Sequence, residues 1–142
     1  MNSTTSIGVI GASGAVGSEV LRVLEERGHP PDRVHAFGSE RSAGSTIPFG
    51  DSRLEIRTFT EDSCASLDAL VLAADADTAR AIAPIAVEAG LRVVDNSSAF
   101  RMDPEVPLVV PELAHTLDAT SRDRLLFANP TCSTILAAVV LE

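Results

Sequence analysis

Lysine is missing altogether. All eleven basic residues of the 142-residue chain are arginine, against twenty acidic ones, and the net charge is −9. A surface this acidic argues against nucleic acid or an anionic membrane as a partner. Cysteine is scarce too: Cys64 and Cys132 are the whole complement, too few for a disulfide framework, which points to a cytoplasmic protein. No apolar run approaches the length of a membrane span, and residues 1–6, MNSTTS, have neither the basic nor the apolar region of a secretory signal. Tandem repeats, low-complexity tracts and linkers are absent, and no metal site is expected. What remains is a chain of ordinary hydrophobic content, 45%, long enough to bury a real core as a single domain.

Its organising stretch is Ile7 to Leu24, IGVIGASGAVGSEVLRVL. The apolar run Ile7-Gly8-Val9-Ile10 ends in glycines at 11, 14 and 17, and apolar residues then recur at Val16, Val20, Leu21 and Leu24. That pattern predicts a buried strand, a tight turn and an amphipathic helix, the opening of a βαβ unit. Gly11 lets the chain reverse, Gly14 removes a side chain that would keep backbone from a phosphate, and Gly17 lets the helix lie close on the sheet. The first-turn amides then face an anion with the helix dipole behind them. The spacing is GxxGxxG rather than the commoner GxGxxG, and a glycine-rich turn in another α/β protein is the alternative.

Further along, the first helix is expected to end near Arg27, with Gly28 as its cap and His29 on a surface loop beside two prolines. Val34 to Phe37 reads as the second strand, followed by the loop Gly38 to Gly44. Thr46 to Phe49 and Leu54 to Phe59 flank Gly50-Asp51 as a hairpin. Leu67 to Ala74, continuously apolar, is expected as a central parallel strand. A helix capped by Asp75 or Asp77 should run to Glu88, kinked by Pro84 and ended by Gly90. Leu91 to Val94 is the next strand, and Val106 to Val110 an extended segment that is not a central strand. Leu125 to Ala128 is the last strand, and the turn Asn129 to Cys132 leads into a helix over Ser133 to Leu141. This alternation predicts an α/β fold, a Rossmann-like doubly wound, mostly parallel sheet.

Ligands of such sheets bind at the carboxyl ends of the strands. Besides the glycine turn, two clusters fall there. Ser39-Glu40-Arg41-Ser42 follows the second strand, where the adenosine ribose is met; arginine with flanking hydroxyls favours a 2′-phosphate and hence NADP, whereas Glu40 is the kind of residue that holds an unphosphorylated ribose. Cys132 opens an apolar helix, a position that favours the thiolate and suits a nucleophile facing a nicotinamide, with thioester chemistry as the consequence. Cys64 reads as a buried core cysteine.

Taken in order, GASGAVG, SERSAG, VVDNSSAFRMD, VPLVVPE and NPTCST resemble the N-terminal part of aspartate-semialdehyde dehydrogenase, from about Ile7 to the last residue. The resemblance implies NADPH-dependent reductive dephosphorylation of a small acyl phosphate, β-aspartyl phosphate, on the route to lysine, threonine and methionine, in a homodimer. It also implies roles: Ser13, Gly14, Ala15 and Val16 on the pyrophosphate, Arg41 and Ser42 on the 2′-phosphate, and Asn96 near the cofactor. Arg101 would bind the substrate phosphate, as its guanidinium fork suits, unless it pairs with Asp103 or Glu105. Cys132 would form the thioester. Thr131 departs from the asparagine usual before the cysteine. The family continues into a second domain with the histidine acid/base, the carboxylate-binding arginine and most of the dimer interface; none of His29, His35 and His115 lies in a matching motif, so the chain is expected to be the cofactor-binding portion only. Two other readings stay open: the sibling N-acetyl-γ-glutamyl-phosphate reductase, and a non-catalytic dinucleotide-binding module.

Overall fold

The computed structural model describes residues 4–110 and 119–141. Seven strands form one sheet: β1 (Ile7–Ile10), β2 (Val34–Gly38), β3 (Thr46–Phe49), β4 (Ser52–Thr58), β5 (Ala69–Leu72), β6 (Arg92–Asp95) and β7 (Leu126–Ala128). The helices are α1 (Ala15–Glu26), α2 (Ala76–Glu88), α3 (Ala119–Arg122) and α4 (Cys132–Leu141). Strand order is β3-β4-β2-β1-β5-β6-β7, parallel except where β3 meets β4. Leaving out antiparallel β3, the chain order of the parallel strands is 3-2-1-4-5-6, the arrangement of a dinucleotide-binding sheet, and its direction of winding reverses between β1 and β5. The doubly wound expectation is met. Pro48 sits in β3, at the sheet edge, where a missing N–H is tolerated.

Two cores form, one on each face. On one, α1 buries Gly17, Leu21 and Leu24 against Ile7, Val9, Ala36 and Ile56. On the other, α2 presents Ala79, Ala83 and Ala86, spaced by four and three residues, to Leu70, Leu72 and Val93. An all-alanine face brings that helix close to the sheet, and the proline expected to kink it points away: Pro84 is exposed and α2 runs unbroken through it. Covering is uneven. Over β5, β6 and β7, on the α1 side, a cavity of about 900 Å³ is bordered by Ile7, Leu24, Val71, Val94, Leu125 and Phe127, and Val94 is 40% exposed.

Other expectations need correction. The apolar stretch from Leu67 yields a strand of only four residues, Ala69–Leu72. Leu67 instead ends a 3₁₀ turn, Glu61–Ser66, and drops into the α2 core, so burial without strand geometry explains its hydrophobicity. His29 is not at the surface: it is buried at 7% exposure, its backbone N–H closing the end of α1 on the Leu24 carbonyl at 3.0 Å, and its Nδ1 has no partner. The segment around Leu108 pairs with Ala128 outside β7, extended and at the edge as anticipated. Pro111 and His115 lie outside the described residues. No described helix is long and apolar enough to cross a membrane.

Candidate dinucleotide and cysteine site

The glycine turn is built by backbone. Gly11 takes φ +76°, and its N–H and that of Ala12 both donate to the Phe37 carbonyl, at 2.9 and 3.0 Å, tying the turn to the end of β2. Gly14 is the N-cap of α1 and supplies no side-chain acceptor, and the first turn of the helix holds no acidic residue. The helix α2 next to it is finished differently: Asp75 accepts from the Thr78 N–H at 3.0 Å, the Thr78 hydroxyl at 2.9 Å and the Asp77 N–H at 3.1 Å, and these bonds, those of Thr78 foremost, hold its carboxyl below the usual range. One helix start is thus closed by its own carboxylate while the other leaves its amides without a side-chain acceptor. An anion at α1 completes what the chain does not.

The cleft in front of that turn, of about 430 Å³, is lined by Gly11, Ser13 and Gly14, by Gly38, Ser39 and Ser42 and the end of β4, and across the winding reversal by the residues after β5 and the start of α2. Ala15 and Val16 are exposed in the first turn of α1, and Gly17 is buried beneath it. The structure therefore brings the glycine-turn residues and the two serines of the second loop to one cleft. Arg41 is exposed on that loop but is not among the residues lining the cleft.

The second half of the site lies on the same edge of the sheet, at the ends of β6 and β7. Asp95, fully buried, accepts from the Ser97 N–H at 3.0 Å and its hydroxyl at 2.8 Å. The Asn96 N–H reaches the Leu72 carbonyl at 2.9 Å, and its Oδ1 accepts from Asn129 Nδ2 at 2.6 Å. Arg101 bridges the two loops, with Nε donating to the Asn129 carbonyl and Nη2 to the Asn96 carbonyl, both at 2.9 Å. It makes no ion pair with Asp103 or Glu105; Glu105 pairs with Arg124 at 2.9 Å. Asp95, Ser97 and Asn129 were not singled out from the sequence. The usable signals were a carboxylate ending an apolar strand and the asparagine of the Asn-Pro turn.

Thr131 precedes α4. Its carbonyl receives the Ile135 N–H at 3.0 Å and its hydroxyl accepts from the Thr134 N–H at 3.3 Å, the N-cap pattern. Asparagine fills that role as well, so the departure at Thr131 exchanges one capping residue for another. Cys132, the first helical residue, is exposed, whereas Cys64 is buried. Burial, with Glu61 nearby, pushes the Cys64 thiol up. Cys132 is expected to react with iodoacetamide roughly tenfold faster than Cys64 near neutral pH. Peptide mapping after limited labelling measures this, and equal labelling would return Cys132 to the inert cysteines.

The family of semialdehyde dehydrogenases, in the description "Semialdehyde dehydrogenase, NAD binding domain", matches residues 6–119. The chain belongs to that family. Aspartate-semialdehyde dehydrogenase 2 of Vibrio cholerae is 39% identical over 142 residues, which is 100% of this chain and 42% of that protein. Among solved structures, aspartate semialdehyde dehydrogenase II from Vibrio cholerae complexed with ASA superposes with a TM-score of 0.85 at 40% identity, over 95% of this chain and 44% of that one. The Candida albicans enzyme with NADP gives 0.66 at 27% identity, over 92% and 44%. The family resemblance read from the motifs is therefore shown, and with it an oxidoreductase family and a nicotinamide dinucleotide as the class of cofactor. The chain spans about two fifths of the length of the curated relatives it matches.

Proposed function

We propose that the chain is the cofactor-binding portion of an NADP-dependent aspartate-semialdehyde dehydrogenase, which turns L-β-aspartyl phosphate into L-aspartate 4-semialdehyde. One observation carries this: an α1 start that leaves its amides uncapped at the winding reversal, and an exposed cysteine at the start of α4, lie on one edge of a single sheet. Strands β1 and β7 are three positions apart in that sheet, about 14 Å along the edge. Gly11, Ser13, Gly14, Ala15, Val16 and Gly17 would hold the pyrophosphate on the α1 start. Ser39, Arg41 and Ser42 would take the adenosine end with its 2′-phosphate, and Asn96 would border the nicotinamide end.

When bound, the dinucleotide supplies a hydride. The remaining work falls to the chain's own groups. The Cys132 thiolate attacks the acyl carbon, the C–O bond to phosphate breaks, and inorganic phosphate leaves as a thioester forms. Arg101 keeps donors for the phosphate: it uses two of its N–H groups on carbonyls, which leaves three of an arginine's five without a partner among the described residues. A general acid/base for the later thiohemiacetal, worth about 10²–10⁴-fold, would come from residues outside this chain.

The chain is therefore expected to bind NADPH, followed by fluorescence, without steady turnover of β-aspartyl phosphate. Ordinary enzymatic turnover by these residues alone would show that the acid/base lies among them. Arg41→Ala should weaken NADPH binding by about 1.5–3 kcal/mol, the range for a hydrogen bond to a charged group, and leave NADH nearly unchanged. Equal losses for both dinucleotides would remove Arg41 from the 2′-phosphate.

A further inference from the structure

Asp95, the last residue of β6, is the one acidic residue among the described residues that is buried, at 0% exposure. A carboxylate is costly to bury unless its oxygens are hydrogen-bonded, and here both are spent on a single neighbour. Oδ1 accepts from the Ser97 N–H at 3.0 Å and Oδ2 from the Ser97 hydroxyl at 2.8 Å. Ser97 Oγ in turn accepts from the Ala99 N–H at 3.0 Å. Two successive side-chain turns, from 95 to 97 and from 97 to 99, thus fold the chain back at the strand end. The return brings Arg101 Nη2 to the Asn96 carbonyl at 2.9 Å. The Asp95 carbonyl meanwhile accepts from the Asn129 N–H at 2.8 Å. One residue therefore ties down both of the loops that Arg101 bridges.

We infer that Asp95 is a positioning residue for the anion subsite: through Ser97 it gives the β6 loop the shape that sets Arg101 across the cysteine turn. This rests on the reading of Arg101 and Cys132 above and goes beyond it in naming what holds the two in relation. The guanidinium is gripped along one edge. Nε and Nη2, which share that edge, donate to the Asn129 and Asn96 carbonyls, so the Nη1 end is the one left for phosphate oxygens. A β6 loop of another shape would take the Asn96 carbonyl from that edge and turn the fork. The carboxylate matters as well as the turn. An asparagine at 95 can still accept from the Ser97 N–H, but its amide would face Ser97 Oγ as a donor. The Ser97 hydroxyl proton would then lose the acceptor it has.

The test labels Cys132 with iodoacetamide and, separately, with iodoacetate in the wild-type chain, Ser97→Ala, Asp95→Asn and Arg101→Ala, with thermal unfolding recorded alongside. The two reagents differ in charge, so the ratio of their rates reads the cation beside the thiol. A role in stability alone would lower the melting temperature and leave that ratio where it was. Arg101→Ala should lower the iodoacetate-to-iodoacetamide ratio about fivefold, the effect of one unit charge a few ångströms away in wet surroundings. Ser97→Ala and Asp95→Asn should each lose roughly half or more of the same preference, and Ser97→Ala should change nothing further once Arg101 is alanine. Inorganic phosphate should slow iodoacetate labelling of wild type and have little effect on the three variants. If Ser97→Ala fails to fold, the isosteric Asp95→Asn decides alone. A wild-type ratio in either folded variant, with the ratio lowered in Arg101→Ala, overturns the inference and keeps Arg101 at the anion subsite. A ratio unchanged in Arg101→Ala overturns both.

Discussion

Gly17→Ala is expected to destabilise the chain by about 3 kcal/mol and to remove most of its dinucleotide affinity. Two effects oppose each other at this position. Alanine is the better helix former, by roughly 0.5–1 kcal/mol, so an open site would gain stability. The space at 17 is closed by backbone: a Cβ there would lie 2.1 Å from the Gly11 carbonyl oxygen, 2.7 Å from its carbon and 2.8 Å from Ala12 Cα. Backbone atoms cannot rotate aside as a side-chain end can, so α1 must lift from the turn. Lifting breaks the seat of Gly11 and Ala12 on Phe37 and moves the helix amides away from the phosphate position. For a chain of this size the loss corresponds to a fall in Tm of roughly 10 °C. Gly28→Ala provides the contrast. Gly28 has φ +73° but nothing within 4 Å of its Cβ position, so only torsional strain of about 1 kcal/mol applies. A Gly17→Ala protein that melts with wild type, or above it, would refute the close approach of α1.

Arg101→Ala should cost a further large amount, about 3 kcal/mol, because its bonds to the Asn96 and Asn129 carbonyls are charge-assisted, half-buried and shared between two loops. The loss should be felt at Cys132, since Asn129 begins the turn that ends there. In the variant the iodoacetamide rate of Cys132 should change while that of Cys64, in a different part of the fold, stays put. Arg101→Lys should restore less than half of the stability, as an ammonium has no planar fork to reach two carbonyls at once. Full rescue by lysine would mean that charge alone matters and that the bridge does not.

How far the sequence could be read depended on the range of the interaction. The β1 turn and α1 were legible because their determinants are local: apolar residues at helical spacing and glycines where φ or space demands them. Cys132 at a helix start and Ser42 in the second loop were also visible. What escaped was nonlocal. Leu67 looked like strand because the core that buries it belongs to α2, and His29 looked exposed because its neighbours in sequence are prolines and its burial comes from elsewhere. Arg101 suggested a phosphate ligand, with a surface pair to nearby acids as the alternative, and neither reading contained its bond to a carbonyl 28 residues away. The positions of Asp95 and Asn129 in the β6–β7 network follow from strand order, which no window of sequence contains.

That order also left β5, β6 and β7 with α2 on one side and the apolar hollow on the other. The two halves of the sheet are consequently unequal in cohesion. Strands β1 and β2 are packed on both faces, with Ile7, Val9 and Ala36 in the α1 core and Ile10 and Phe37 in the α2 core, whereas β7, three residues long, has its Phe127, with the preceding Leu125, on the hollow. Heat or denaturant should peel the sheet from the β7 end, and amide exchange should report a gradient of protection falling from β1 towards β7. The cysteine turn hangs from the soft end of that gradient and the glycine turn from the firm end. The cleft for the dinucleotide can therefore outlast the geometry of the nucleophile.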